Sequence, residues 1–136
     1  MKYTEHERTQ FALARERSRM DDLPGTLEIP RNLAAGKPES AIFNATLANT
    51  LKAVGDIDCA IEHFRAAVKL APNSELYSLG LFHILWAQGR REEALDETKR
   101  FMSLSESDEY RKIVAAINEH WPHGVPRRKS SDPTAK

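Results

Sequence analysis

The chain has 136 residues, enough for one compact core and too few for two sizeable ones. Its 20 basic and 20 acidic side chains cancel, which argues against a nucleic-acid or anionic-membrane partner. A single cysteine, Cys59, excludes an intramolecular disulfide, and the most apolar run, Leu79 to Ala87, is far short of a membrane span.

The amino terminus, MKYTEHERTQ, is charged where a secretory leader needs an apolar run, so a cytoplasmic location is expected. Residues 3 to 20 are helix-compatible, with Phe11, Leu13 and Met20 as the large apolar side chains after Tyr3. The next stretch, DDLPGTLEIPRNLAAGKP, carries three prolines and is expected to be a strap rather than a long helix. Leu23, Leu27, Ile29 and Leu33 are available to lay it on the rest of the molecule. Residues 1–40 are thus predicted to be a helix followed by a proline-rich strap.

From Pro38 onward the sequence repeats itself at a shift of 34 residues. Pro38 falls on Pro72, Ser40 on Ser74, Leu47 on Leu81, Leu51 on Leu85, Gly55 on Gly89 and Ala60 on Ala94. Each unit predicts two helices joined at its glycine, opened by a Pro-x-Ser whose serine is the N-cap. Leu47, Leu51, Ile61, Phe64 and Val68, then Leu81, Leu85, Leu95 and Phe101, recur at three- and four-residue steps that place them on one helical face. Ala60 and Ala94 stand where two helices must approach closely.

After Ser107, residues 109–121 predict one more helix, with Tyr110, Ile113, Val114 and Ile117 on its apolar side and Pro122 ending it. Such a helix would cap the open edge of the last repeat, completing a repeat domain over 41–121. The tail, 122–136, has too little apolar content to fold alone and is expected to be disordered.

This spacing resembles the tetratricopeptide repeat. Leu47, Ala48, Leu51, Gly55, Ala60, Phe64, Ala67 and Pro72 occupy that family's signature places in the first unit, with Asn44 where tryptophan is common. In the second unit Leu81, Leu85, Gly89 and Ala94 fit. Phe82 replaces a small residue there, Thr98 an aromatic, Phe101 an alanine and Glu106 the closing proline. The resemblance implies an all-α, right-handed helical solenoid of antiparallel helix pairs that binds other proteins through its concave face. The face would be lined by Leu76, Leu79, His83 and Trp86 in the second unit and by Ile42, Ala45, Asn49 and Lys52 in the first. Some members of the family grip a terminal carboxylate with a lysine and an asparagine; only Asn49 is present, with Ala45 in the lysine's place.

No arrangement of residues suggests catalysis or a bound metal. His6, His63, His83, His120 and His123 form no His-x-x-x-His pair, and the six glycines are isolated, so neither a zinc site nor a phosphate loop is expected. Asp56 and Asp58 open like a calcium loop but lack its glycine and closing glutamate, and fit a helix start better. Cys59 beside Ala60 is expected to be a packed, inert thiol, and Arg127, Arg128 and Lys129 to be a solubilising end. The helix over Glu75 to Gln88 is apolar around most of its circumference and must be covered on more than one side. Leu79, His83 and Trp86 make a ridge on it that faces either a partner or the chain's own strap.

The function expected is non-catalytic binding of another protein, with no cofactor, nucleic acid, membrane or small-molecule substrate. The run SLGLFHILWAQGRREEALDETKRFMSLSESDEY is also similar to small immunity proteins encoded beside polymorphic toxins, which makes a toxin domain an alternative partner.

Overall fold

A computed structural model describes residues 3–19 and 27–126, and every regular element within them is an α-helix. In chain order these are α1 (Glu5–Arg19), α2 (Glu28–Gly36), α3 (Ala41–Ala53), α4 (Ile57–Leu70), α5 (Glu75–Ala87), α6 (Arg91–Leu104) and α7 (Asp108–His120). No strand occurs among the described residues, in line with the helical periodicity.

The local reasons for these boundaries repeat with the sequence. The side chain of Ser40 accepts from the Phe43 N–H, Ser74 from Tyr77 and Ser107 from Tyr110, each filling a donor that a helix start leaves free. Gly55 and Gly89 close the two turns at φ 92° and 74°, a conformation that side chains with a Cβ resist. Asp56 N–H then reaches back to Leu51 C=O and Arg90 N–H to Leu85 C=O, the same six-to-one closure in both units.

Helices α3 and α4 form one antiparallel unit and α5 and α6 the next, with α4 against α5 joining them. The small residues predicted at the crossings, Ala60 and Ala94, are fully buried, as are Ala48 and Ala67. Gly80 belongs with them, because a Cβ there would stand 2.7 Å from Phe64 Cε1.

The amino-terminal third departs from expectation. Of the stretch expected as a strap, residues 28–36 form α2, which packs against both α1 and α3 and buries Ile29 and Leu33. Pro30 is accommodated because it stands in the first turn, where its missing N–H has no carbonyl to meet. Helix α1 starts in a reciprocal cap: Thr4 Oγ1 accepts from Glu7 N–H while Glu7 Oε1 accepts from Thr4 N–H. Lys37 pairs with Glu7 at 2.8 Å and Tyr3 hydrogen-bonds Ser40 Oγ at 2.8 Å, tying the start of α1 to the end of α2 and the start of α3. Three helix pairs and a closing helix therefore follow one another. The contact predicted for Leu23 lies outside the described residues, as does 127–136 of the tail expected to be disordered over 122–136, whereas Val125 in its described part packs against the core.

Candidate partner-binding face

Helix α5 buries Ser78, Leu81, Phe82, Ile84 and Leu85, so about half of its circumference meets the core. What remains is the predicted ridge. Leu76 is 75% exposed, His83 is exposed, and Leu79 and Trp86 are half-buried against the core. On α3, Asn49 and Lys52 are exposed and Ile42 is 36% exposed. Ala45 is only 5% exposed, so it offers a partner almost no surface. Helix α3 has neighbours in both α2 and α4, and a single methyl is too short to project past them.

Trp86 is covered from within the chain, and from an unexpected side. Its ring stacks on Phe82, with centroids 5.7 Å apart, and meets the edge of Trp121, just beyond α7, at 5.9 Å. The Arg91 guanidinium lies 5.6 Å from the Trp86 centroid and 5.2 Å from that of Trp121. Of the strap offered as the alternative cover, residues 20–26 lie outside the described residues.

The departures of the second unit from the family pattern build the seat of α7. Phe82 and Phe101 flank the Tyr110 ring at 5.8 and 5.6 Å, and Tyr110 is fully buried. Ser78 donates to Glu97 Oε2 at 2.5 Å, which leaves Tyr110 to donate to Ser78 Oγ at 2.6 Å. Arg100 grips Glu97 with two N–H groups at 2.7 and 2.6 Å and donates a third to Pro72 C=O. Burial pushes the Tyr110 phenol up to about 12. The bonds of Ser78 to Glu97 and Tyr110 were not foreseen from the sequence, since the partners are 19 and 32 residues apart and only the fold brings them together.

Asn44, where the family often has tryptophan, is buried and works as a polar tie. Its Nδ2 donates to Pro38 C=O and Ser40 C=O, both at 2.9 Å, and its Oδ1 lies 3.0 Å from His63 Nδ1. Cys59 is exposed rather than packed: the buried residue is Ala60, one position on. Its thiol is pushed up chiefly by a hydrogen bond with Asp56, which keeps it in the unreactive form. Asp56 does stand at a helix start, but its side chain makes no capping hydrogen bond. Among the described residues no group of three His, Cys, Asp or Glu could hold a metal, and no helix is long and apolar enough to cross a membrane. An open apolar cleft of about 560 Å³ runs between α6 and α7, lined by Leu95, Met102, Val114, Ile117 and Val125.

No family model and no curated protein matches the sequence. Solved structures do match in shape. MamA residues 41 to the end from Desulfovibrio magneticus RS-1 superposes with a TM-score of 0.67 at 17% identity, over 74% of this chain and 56% of that one. The P58(IPK) TPR domain gives 0.69 at 20% identity, over 82% and 31%. The first TPR of Spaghetti (RPAP3), solved bound to the HSP90 peptide SRMEEVD, gives 0.70 at 12% identity, over 84% and 91%. This chain therefore spans about half or less of the length of the first two. The fold is that of the tetratricopeptide repeat, an all-helical solenoid.

Proposed function

We propose that the chain is a non-catalytic module that holds a segment of another protein along the α5 ridge of Leu76, Leu79, His83 and Trp86. Ile42, Asn49 and Lys52 of α3 extend the same surface. The observation that carries this reading is Leu76, a large aliphatic side chain 75% exposed on a helix otherwise turned into the core. Leaving such a residue in water forgoes about 1.5–3 kcal/mol of burial, a cost that docking against a partner would recover. Helix α5 also supplies a rigid base, because α4 and α6 pack on it from both sides and α7 closes its end through Phe82 and Trp86. The bound peptide in the Spaghetti structure supports the reading, as a case of this fold holding a peptide.

The test is binding with unchanged folding. Leu76→Asp is expected to leave the melting temperature within about 2 °C of wild type, since surface substitutions stay within about 0.5 kcal/mol. The same change should abolish recovery of a partner captured by the wild-type chain from its native host. Equal recovery by wild type and Leu76→Asp overturns the proposal.

A further inference from the structure

We propose that Arg91 is an anion-binding anchor at the end of the α5 ridge, and that the segment bound there is acidic, placing an Asp or Glu carboxylate on its guanidinium. The proposal rests on the partner-binding reading of that ridge and adds the chemistry of the partner. Arg65, Arg90, Arg100 and Arg111 each hold a carboxylate of this chain. Arg91 has no ion pair among the described residues, and its buried Nε has no acceptor. It lies instead against two indoles, at 5.6 and 5.2 Å.

Those rings do for Arg91 what a partner's carboxylate requires. The two rings, themselves 5.9 Å apart, stand on one side of the guanidinium and shield it from water there, and because Nε is buried a planar anion would meet the edge formed by the two terminal nitrogens. A carboxylate meeting that edge gains a charge-assisted, bidentate pair in a region of lowered dielectric. Arg91 is also the first residue of α6, where the unpaired N–H groups of the helix start add positive potential.

The ridge sets the spacing of the partner. Along α5, Leu79 and Leu76 stand about 10 and 15 Å from Trp86 at 1.5 Å per residue. An extended segment advances about 3.3 Å per residue, so its apolar anchor falls roughly three to five residues from its acidic one.

Both tryptophans of the chain, Trp86 and Trp121, belong to this cluster, so intrinsic fluorescence reports on it alone. The probe is a displayed library of random twelve-residue peptides panned on the full chain, with retained peptides titrated against tryptophan emission. Retained peptides should carry Asp or Glu three to five residues from a large apolar residue and should perturb the emission. Exchanging that acid for its amide, or Arg91→Gln, should weaken binding at least tenfold, and Arg91→Lys should restore only part of it. Thermal melts of the variants exclude unfolding, and the peptide exchange tests the pair even if Arg91→Gln does not fold. Peptides without acidic residues, or undiminished affinity for Arg91→Gln, overturn the inference. If binding then still falls with Leu79→Ala, the ridge stands and only the anionic chemistry is lost. A library that yields no binder, or binders indifferent to both positions, removes the ridge as well.

Discussion

Tyr110 shows how one side chain fixes the end of the repeat. It is fully buried between Phe82 and Phe101, and its hydroxyl is the terminal donor of a chain that runs through Ser78 to Glu97 and Arg100. Tyr110→Phe should cost about 1 kcal/mol, the net worth of a buried hydrogen bond, and should do so cooperatively with Ser78→Ala in a double-mutant cycle. The phenol also sets an alkaline limit. Its folded value is raised from 10.0 to about 12, so its contribution is complete below pH 10 and is lost as the pH rises through 12. Over that window denaturant titrations should show wild type losing on the order of 2–3 kcal/mol that Tyr110→Phe does not lose. Gly80 gives a second test, because its missing Cβ is space that Phe64 occupies. Gly80→Ala should destabilise by about 1–3 kcal/mol, despite the better helix propensity of alanine, and an unchanged or raised melting temperature would contradict the crossing described.

At the scale of elements, the two repeat units and α7 were legible because each carries its own punctuation. A serine caps each first helix, a glycine closes each turn, and small residues stand at Ala60 and Ala94. Ala60→Leu and Ala94→Leu should each cost about 1–3 kcal/mol by overpacking, with wild-type melting of both contradicting the register. Helix α2 was not legible as a helix, because Pro30 falls inside it and prolines stand close on both sides of it. The i, i+4 pair Ile29 and Leu33 and the Thr4-x-x-Glu7 cap were the available signals of an ordered pair upstream. The ridge on α5 was legible from its spacing, whereas the cover on Trp86 was not: Arg91 reaches it from the start of α6, and Trp121 only through the packing of α7. That packing depends on the Ser107 cap. Ser107→Ala should cost about 0.5–2 kcal/mol and shift tryptophan emission to the red as Trp121 loosens, with unchanged emission contradicting the link between α7 and the cluster.

For the whole molecule, the three helix pairs in series have α1, α3 and α5 as their first helices, and Leu76 on α5, at 75%, is more exposed than Leu13 on α1 or Ile42 on α3. Asn49 and Lys52 stand on α3, and Leu76 and the indole of Trp86 on α5. On the proposed reading a partner would be anchored on α5 and steered by flanking charge, with the apolar contacts dominating affinity. The most direct test is photo-crosslinking with benzoylphenylalanine placed at position 76, on the ridge, or at position 62, on the exposed side of α4, in otherwise identical chains. In lysate of the native host, the chain labelled at 76 should give one dominant adduct that excess unlabelled wild type suppresses, and the chain labelled at 62 should not. The same adduct formed from position 62 and absent from 76 would contradict the account.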